Sequence, residues 1–373
     1  MNSSNRKLHV VVFDVPYPPN YGGVVDVFYK LKALQNEGIQ LTLHCFEYGR
    51  GKQKELETIC NQVYYYKRKT GLLGLQWNKP YIVSSRRGNA LLNNLLQDDA
   101  PILFEGIHTT YYLNHPQLQH RFKVLRAHNI EHLYYKNLAE KQSYGFKKWY
   151  FQREQKLLEI YENQLHDLQS IACIAAHEVT YFEHKAKQVF HLPAFHQEES
   201  VSSKTGRGTY CLYHGNLEIK ENEDTALYLC KEVFSKVDYP LIVAGKNPSE
   251  QLKAFESNNI HIKSNPSEDE LHELIQDAHI HVLPALDANG IKLKLLYALH
   301  AGRFCIVNHT MLAGSGIDRS VLVANTTEEL IQTISTYAVK FFTEEDIEER
   351  KHALKNYRND ENAQRLIHVA FPS

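Results

Sequence analysis

Short β-branched apolar blocks alternate along this chain with longer amphipathic stretches. Residues 8–14 (LHVVVFD) read as a strand, and residues 24–36 place Val24, Val27, Phe28, Leu31 and Leu34 at helical spacing before Gly38, a good C-terminal stop. Residues 39–46 form a second predicted strand. A β-loop-α-β unit of this kind builds a parallel sheet with crossover helices. Further strands are predicted at 102–106, 124–127, 171–175 and 189–192, with one long helical tract over 133–169. Residues 197–208 (QEESVSSKTGRG) are polar and aperiodic and read as a linker. A second α/β half follows, with strands at 210–213, 241–244, 260–263, 280–283, 304–307 and 321–324 and helices between them. Helical segments at 344–357 and 361–370 close the chain.

Residues 283–308 combine strand, loop, helix and strand most compactly. The turn Asp287-Ala288-Asn289-Gly290 opens a predicted helix over 291–301, Gly302 fits its stop, and 304–307 is apolar. Lys292 and Lys294 are the only charges in that helix and both lie in its first turn, where they oppose the helix dipole. An anion held by the free N–H groups there would offset the cost, which is a few tenths of a kcal/mol or roughly more. A buried helix whose lysines reach out to solvent fits the pattern as well.

At 373 residues two domains are expected. A net charge of −1 with 23% charged residues argues against a dedicated nucleic-acid binder. No apolar run is long enough for a transmembrane helix, and the polar residues 1–7 lead straight into a strand, so neither a membrane span nor a signal peptide is expected. The six cysteines lack CxxC pairing and fall mainly in apolar runs, as reduced core residues of a cytosolic protein do. Residues 63–87 mix aromatics and leucines with Lys67, Arg68, Lys69, Lys79, Arg86 and Arg87. This suits either a solvated loop or contact with a membrane interface or lipid-linked acceptor.

Ligands of open parallel sheets bind at the carboxyl ends of strands, which directs attention to Glu105 and His108 after one strand and His128 after the next. His128-x-x-x-His132 is not HExxH and has no evident third ligand, so no metal is expected. The loop after the first strand holds no GxGxxG. Gly22-Gly23 would allow a ligand close to the backbone, and an ordinary tight turn fits equally.

Four segments taken together resemble a known family. They are Pro16–Gly23 (PYPPNYGG), similar to a P-x-x-x-G-G loop; VLRAHNIE at 124–131; YHGNL at 213–217, similar to F-x-G-x-L; and GIKLKLLYALHAGRFCIVN at 290–308. The set resembles the GT-B glycosyltransferases, in particular the retaining, nucleotide-sugar-dependent bacterial group 1 (family 4-like) enzymes. The resemblance implies an α/β GT-B fold of two Rossmann-like doubly wound parallel-sheet domains with an interdomain cleft. Residues 1–196 would be the acceptor-side domain, 197–208 the linker, 209–345 the nucleotide-sugar domain, and 346–373 helices crossing back toward the first domain.

It further implies a hexosyltransferase-type enzyme of cell-envelope polysaccharide synthesis. A sugar would move, with retention, from a nucleotide-diphosphate donor to a carbohydrate or lipid-linked acceptor. Neither metal nor cofactor beyond the nucleotide sugar is implied, and the location is cytoplasmic, with peripheral contact at the inner membrane face as an option. The donor residues implied are Gly22, Gly23, Gly215, Asn216, Lys246, Asn289, Gly290, Lys292, Lys294 and Tyr297. His128 would stand beside the reacting sugar, with Glu105 and His108 lining the acceptor side. The family usually carries two glutamates eight residues apart, where this chain has Asn289 and Tyr297. Its Arg/Lys pair after F-x-G-x-L is represented nearby only by Lys220. Two rival functions follow: a non-catalytic GT-B-like binder of a nucleotide or partner chain, and a sugar-nucleotide epimerase.

Overall fold

Leu8, Val10 and Val12 enter one apolar core and Val11 the opposite one, so the first strand is buried on both faces, as a central parallel strand must be. The computed structural model describes residues 6–165, 168–286 and 293–372. The chain divides into two compact units, Met1–Gln197 with Tyr357–Ser373, and Glu198–Asn356.

The first unit holds a seven-stranded sheet of β1 (Lys7–Val12), β2 (Gln40–Glu47), β3 (Gln62–Lys67), β4 (Ile102–Glu105), β5 (Lys123–Ala127), β6 (Ser170–Cys173) and β7 (Gln188–His191). The order is β3-β2-β1-β4-β5-β6-β7, and all pairings are parallel. β3 falls inside the basic, aromatic stretch that the sequence pattern leaves unassigned. As an edge strand it is covered only in part, so QVYYYK shows neither a continuous apolar run nor a strict alternation. The predicted helical tract over 133–169 is two helices, Glu131–Glu140 and Phe146–Asn163, packed against each other. Gly145, at φ 105°, makes the break, a backbone conformation other residues rarely adopt.

The second unit holds β8 (Cys211–Asn216), β9 (Leu241–Lys246), β10 (Ile260–Ser264), β11 (Ile280–Val282), β12 (Phe304–Val307) and β13 (Leu322–Val323), parallel in the order β10-β9-β8-β11-β12-β13. The Leu293–Ala301 helix leads into β12. Its carboxyl end is capped by buried Arg350, which donates to the carbonyls of Gly302 (2.8 Å) and Arg303 (2.7 Å). Gly302 is needed for close packing more than for a left-handed turn, since a Cβ there would lie 1.9 Å from His281 Nε2.

Arg350, on the Glu344–Ala353 helix, packs within the second unit, which runs to Asn356, whereas the resemblance implies that the closing helices begin at 346. The Asn359–Ala370 helix then places Ala363, Leu366, Ile367 and Ala370 in the core shared with Val27, Leu31 and Leu34 of the Gly22–Asn36 helix. All six cysteines are free and buried.

Candidate active site

The chain leaves β1 toward β2 on one side, while β4 lies on the other, so the carboxyl ends of β1 and β4 mark the topological switch point of the first sheet. There the Gly22–Asn36 helix brings Asp26 and Lys30, one turn apart, beneath Glu105 at the end of β4 and His128 just past β5. Lys30 Nζ lies 2.7 Å from Asp26 and 2.9 Å from Glu105. Arg126 donates to Asp26 at 2.8 and 3.2 Å, and the Phe195 amide adds a third donor at 2.8 Å. Arg126 also donates to the carbonyls of Leu192 and Pro193.

All four charged side chains are completely buried, and their charges cancel in pairs. Burial alone would raise the Asp26 pKa, but Arg126 and Lys30 together outweigh it and hold the carboxyl well below the usual range. Burial likewise opposes ionisation of Glu105, which Lys30 and the His128 hydrogen bond overcome.

Glu105 therefore does not line an open acceptor face. Its carboxylate fixes His128, whose Nε2 is 3.0 Å away, leaving Nδ1 as the ring nitrogen that Glu105 does not engage. Phe13 sits between His128 and His108, with ring centroids 5.4 Å from each. His108 Nδ1 is buried without a hydrogen-bond partner, and burial, with the charges of Arg86 and His128, depresses its pKa well below 6.5. Gly106 (φ 70°) is required here, since a Cβ would meet His108 Nδ1 at 2.9 Å. Gly22 and Gly23 start the helix, and a Cβ on Gly23 would stand 2.8 Å from the Phe13 ring.

Asp26, Glu105 and His128 offer atoms close enough together for a metal ion, but the Lys30 ammonium already lies within 3 Å of both carboxylates. Asp26 and Lys30 are not evident from the sequence. Their only local signal is an Asp and a Lys four apart on an otherwise apolar helical face.

His128 and His132 serve different carboxylates. His132 Nδ1 pairs with Glu162 at 2.7 Å, and Tyr181 donates to the same carboxylate at 2.7 Å. Glu131, buried beside Glu162 and Glu178, is pushed up to about 8 by burial first and then by those two charges, against a hydrogen bond from Asn129 and the pull of Arg86. A carboxyl raised in the fold favours folding below its ordinary value of 4.5 and loses that contribution as pH rises toward 8. Glu131→Gln is therefore expected to flatten the fall in stability between about pH 5 and 8, read from urea melts across that range. An unchanged pH slope would refute the assignment.

In the second sheet the switch point lies between β8 and β11. Gly215 and Asn216 end β8 opposite Gly245 and Lys246 of β9, and a Cβ on Gly245 would meet the Gly215 carbonyl at 2.0 Å. Asn222, which the sequence reading did not single out, ties this end together. Its Nδ2 donates to the Asn216 carbonyl (2.9 Å), and its Oδ1 accepts from Lys294 (3.0 Å). The Lys294 ammonium also lies 5.1 Å from the centre of the Tyr213 ring. His214, buried next to it, is pushed down to about 3 by burial and by the Lys294 charge. Lys246 is exposed, 3.6 Å from Glu218. Tyr297 packs, partly buried, against the core cluster of Leu212, Ala244, Ile275, Ala278 and Ala301. Asn289, Gly290 and Lys292 lie outside the described residues.

Residues 208–338 match the model of the family described as glycosyl transferases group 1. The backbone is similar over 98–99% of the chain to solved GT-B structures. A glycosyltransferase from Rickettsia africae has TM-score 0.63 at 12% identity over 99% of both chains, and TarM has TM-score 0.65 at 9% identity over 98% of both. HepE from Anabaena, solved in complex with UDP and glucose, has TM-score 0.64 at 11% identity, over 98% of this chain and 99% of that one. The chain has a GT-B fold, and within it residues 208–338 are similar to group 1 glycosyltransferases.

A protein from the cps region of Klebsiella pneumoniae, itself described as uncharacterized, is 28% identical over 346 residues, covering 86% of this chain and 87% of that one. Gly215, Asn216, Asn222, Lys246, Lys294 and Tyr297 fall within the residues matched by that family model. Asp26, Lys30, Glu105, Arg126 and His128 lie outside the matched residues and stand on geometry alone.

Proposed function

We propose that the protein transfers a hexose-type sugar, with retention, from a nucleoside diphosphate to a carbohydrate or lipid-linked acceptor. It needs no metal or cofactor beyond the donor and acts on the cytoplasmic side of the cell envelope in polysaccharide synthesis. The observation that carries this reading is Lys294. Its ammonium is held by Asn222 and by the Tyr213 ring at the carboxyl end of β8, within the residues matched by the family model. A sugar nucleotide brings two phosphates whose charge grows as the sugar leaves, and a positioned cation stabilises that leaving group.

The complex of HepE with UDP and glucose, and that of Arabidopsis UGT89C1 with UDP-L-rhamnose, support the donor class. The cps-region relative supports the setting. In this reading His128, held by Glu105, hydrogen-bonds a sugar hydroxyl near the anomeric carbon through Nδ1.

A thermal-shift screen with UDP, GDP, ADP and dTDP is expected to single out one nucleotide that raises Tm, because a ligand that binds only the native state stabilises it. Lys294→Met is expected to weaken that nucleotide about 10–100-fold, the usual loss for a hydrogen bond to a charged group. If no nucleotide shifts Tm and no donor is turned over, the reading fails. Tyr297, standing where the family carries a carboxylate, favours one second reading, a nucleotide binder without transfer. Saturable binding with no turnover of any donor would establish that one.

A further inference from the structure

We infer that one face of the first unit is a docking surface for an anionic lipid bilayer. Charge is unevenly distributed along the chain. Residues 58–97 contain six Lys and Arg and no carboxylate, and residues 141–153 contain four and none, in a chain whose net charge is only −1. The only two tryptophans of the protein, Trp77 and Trp149, fall one in each segment.

The fold brings these segments together and leaves their apolar side chains outside. Arg153 on the Phe146–Asn163 helix donates to the Trp77 carbonyl (3.3 Å), with its guanidinium 5.9 Å from the Trp77 ring. The Tyr81 amide donates to Glu154 (2.6 Å), which pins the same loop to the same helix. Trp149 lies one helical turn before Arg153 and packs on Phe146, with centroids 5.5 Å apart. Trp77 is 90% exposed, Leu72 86%, Leu73 76%, Phe146 78% and Trp149 55%. Scattered exposed apolar residues need no explanation, but large ones gathered among cations, where the neighbouring carboxylate Glu154 is buried and paired with Arg153, do.

The exposure is built into the backbone. Leu72 and Leu73 project from a short helical turn, Gly71–Gly74, whose carbonyls are held from within: Arg87 donates to Leu73 (2.7 Å) and Gly74 (3.1 Å), and Ser84 to Gly74 (2.7 Å). The turn is thus fixed with both leucines pointing away from the core.

Exposed leucines and indole rings on two segments rich in Lys and Arg and lacking exposed acids match a membrane interface. The apolar tips enter the acyl boundary, Trp sits at headgroup level, and the cations meet anionic headgroups. A second copy of the chain is a poor occupant, because pairing this face with itself would oppose like charges. Among the described residues no helix is long and apolar enough to cross a membrane, so the contact would be peripheral.

The test uses the full chain with vesicles of phosphatidylglycerol and phosphatidylcholine, against phosphatidylcholine alone. Because both tryptophans lie on the face, their emission reports docking directly. A blue shift with co-sedimentation is expected on the anionic vesicles only, and it should weaken at high salt. Lys147→Glu/Lys148→Glu and, separately, Leu72→Ser/Leu73→Ser are each expected to weaken binding at least about tenfold, with thermal melting and nucleotide-induced Tm shifts unchanged. Absence of binding to anionic vesicles overturns the inference, as does binding that neither pair of substitutions reduces. Equally damaging would be a concentration-dependent dimer, dissolved by Leu72→Ser/Leu73→Ser, in a protein that ignores vesicles.

Discussion

Replacing His128 by alanine is expected to lower sugar transfer about 10²–10⁴-fold while nucleotide affinity stays within about twofold, the range for losing a positioned acid–base or hydrogen-bonding group. Lys30 neutralises Glu105 from one side, and Glu105 Oε2 then holds His128 Nε2 at 3.0 Å. An imidazole fixed through one nitrogen presents the other in one orientation, which is what positioning a reacting group requires. The His128 side chain is 8% exposed while Glu105 is fully covered, so the histidine is the member of the network that meets solvent. A purely structural role makes a different forecast: transfer, nucleotide affinity and unfolding free energy would fall together. Steady-state kinetics with a urea melt on the same variant separates the two. Transfer at wild-type rates would remove His128 from the mechanism.

Asp26→Asn is expected to destabilise the first unit by about 3–5 kcal/mol at pH 7, the usual loss when one member of a buried ion network is removed. Asparagine preserves the volume, so the change isolates the charge. Lys30 would then keep only the Glu105 carboxylate, and Arg126 only the carbonyls of Leu192 and Pro193, with no solvent to compensate. The pH dependence follows from the sign of the shift. The folded pKa of Asp26 is held below its ordinary value, Arg126 and Lys30 outweighing burial, so its stabilisation is present above about 3.9 and lost as pH falls through the folded value. The gap between wild type and variant should therefore shrink in acid. Tryptophan emission suits the measurement, because both tryptophans belong to the first unit and report its unfolding separately from that of the second. A loss below about 1 kcal/mol at neutral pH would show that the network adds little to stability.

Much of the fold could be read from local pattern, and the misses have local causes. β1 and β12 are buried on both faces, which makes β12 a continuous apolar run and β1 one broken only by His9, so both stand out. β3 is half-covered at an edge and lost its signal among tyrosines and lysines. The helix break at Gly145 does have a local sign, Ser143-Tyr144-Gly145, but a lone glycine inside a helical pattern is often tolerated, and the positive φ is what makes this one a stop. Gly302 was legible as a glycine that mattered, but for another reason: it makes room for His281. Site residues at strand ends were legible too, since His128, Glu105, Gly215 and Asn216 all follow apolar blocks. Asn222 was not, because its importance lies in touching both Asn216 and Lys294.

By itself the sequence determined the alternation of elements, the two parallel sheets and the positions at their carboxyl edges, because periodicity and glycine punctuation act over a few residues. The tertiary structure alone decided which charges are buried and with whom. Asp26 meets Arg126 across 100 positions of chain and Lys30 meets Glu105 across 75. It also decided that the last helix completes the first core and that Trp77 and Trp149 share one exposed face. Such pairings carry no local signature. They follow from the whole chain burying its apolar surface at once, after which each buried charge must find its partner in whatever element lies beside it.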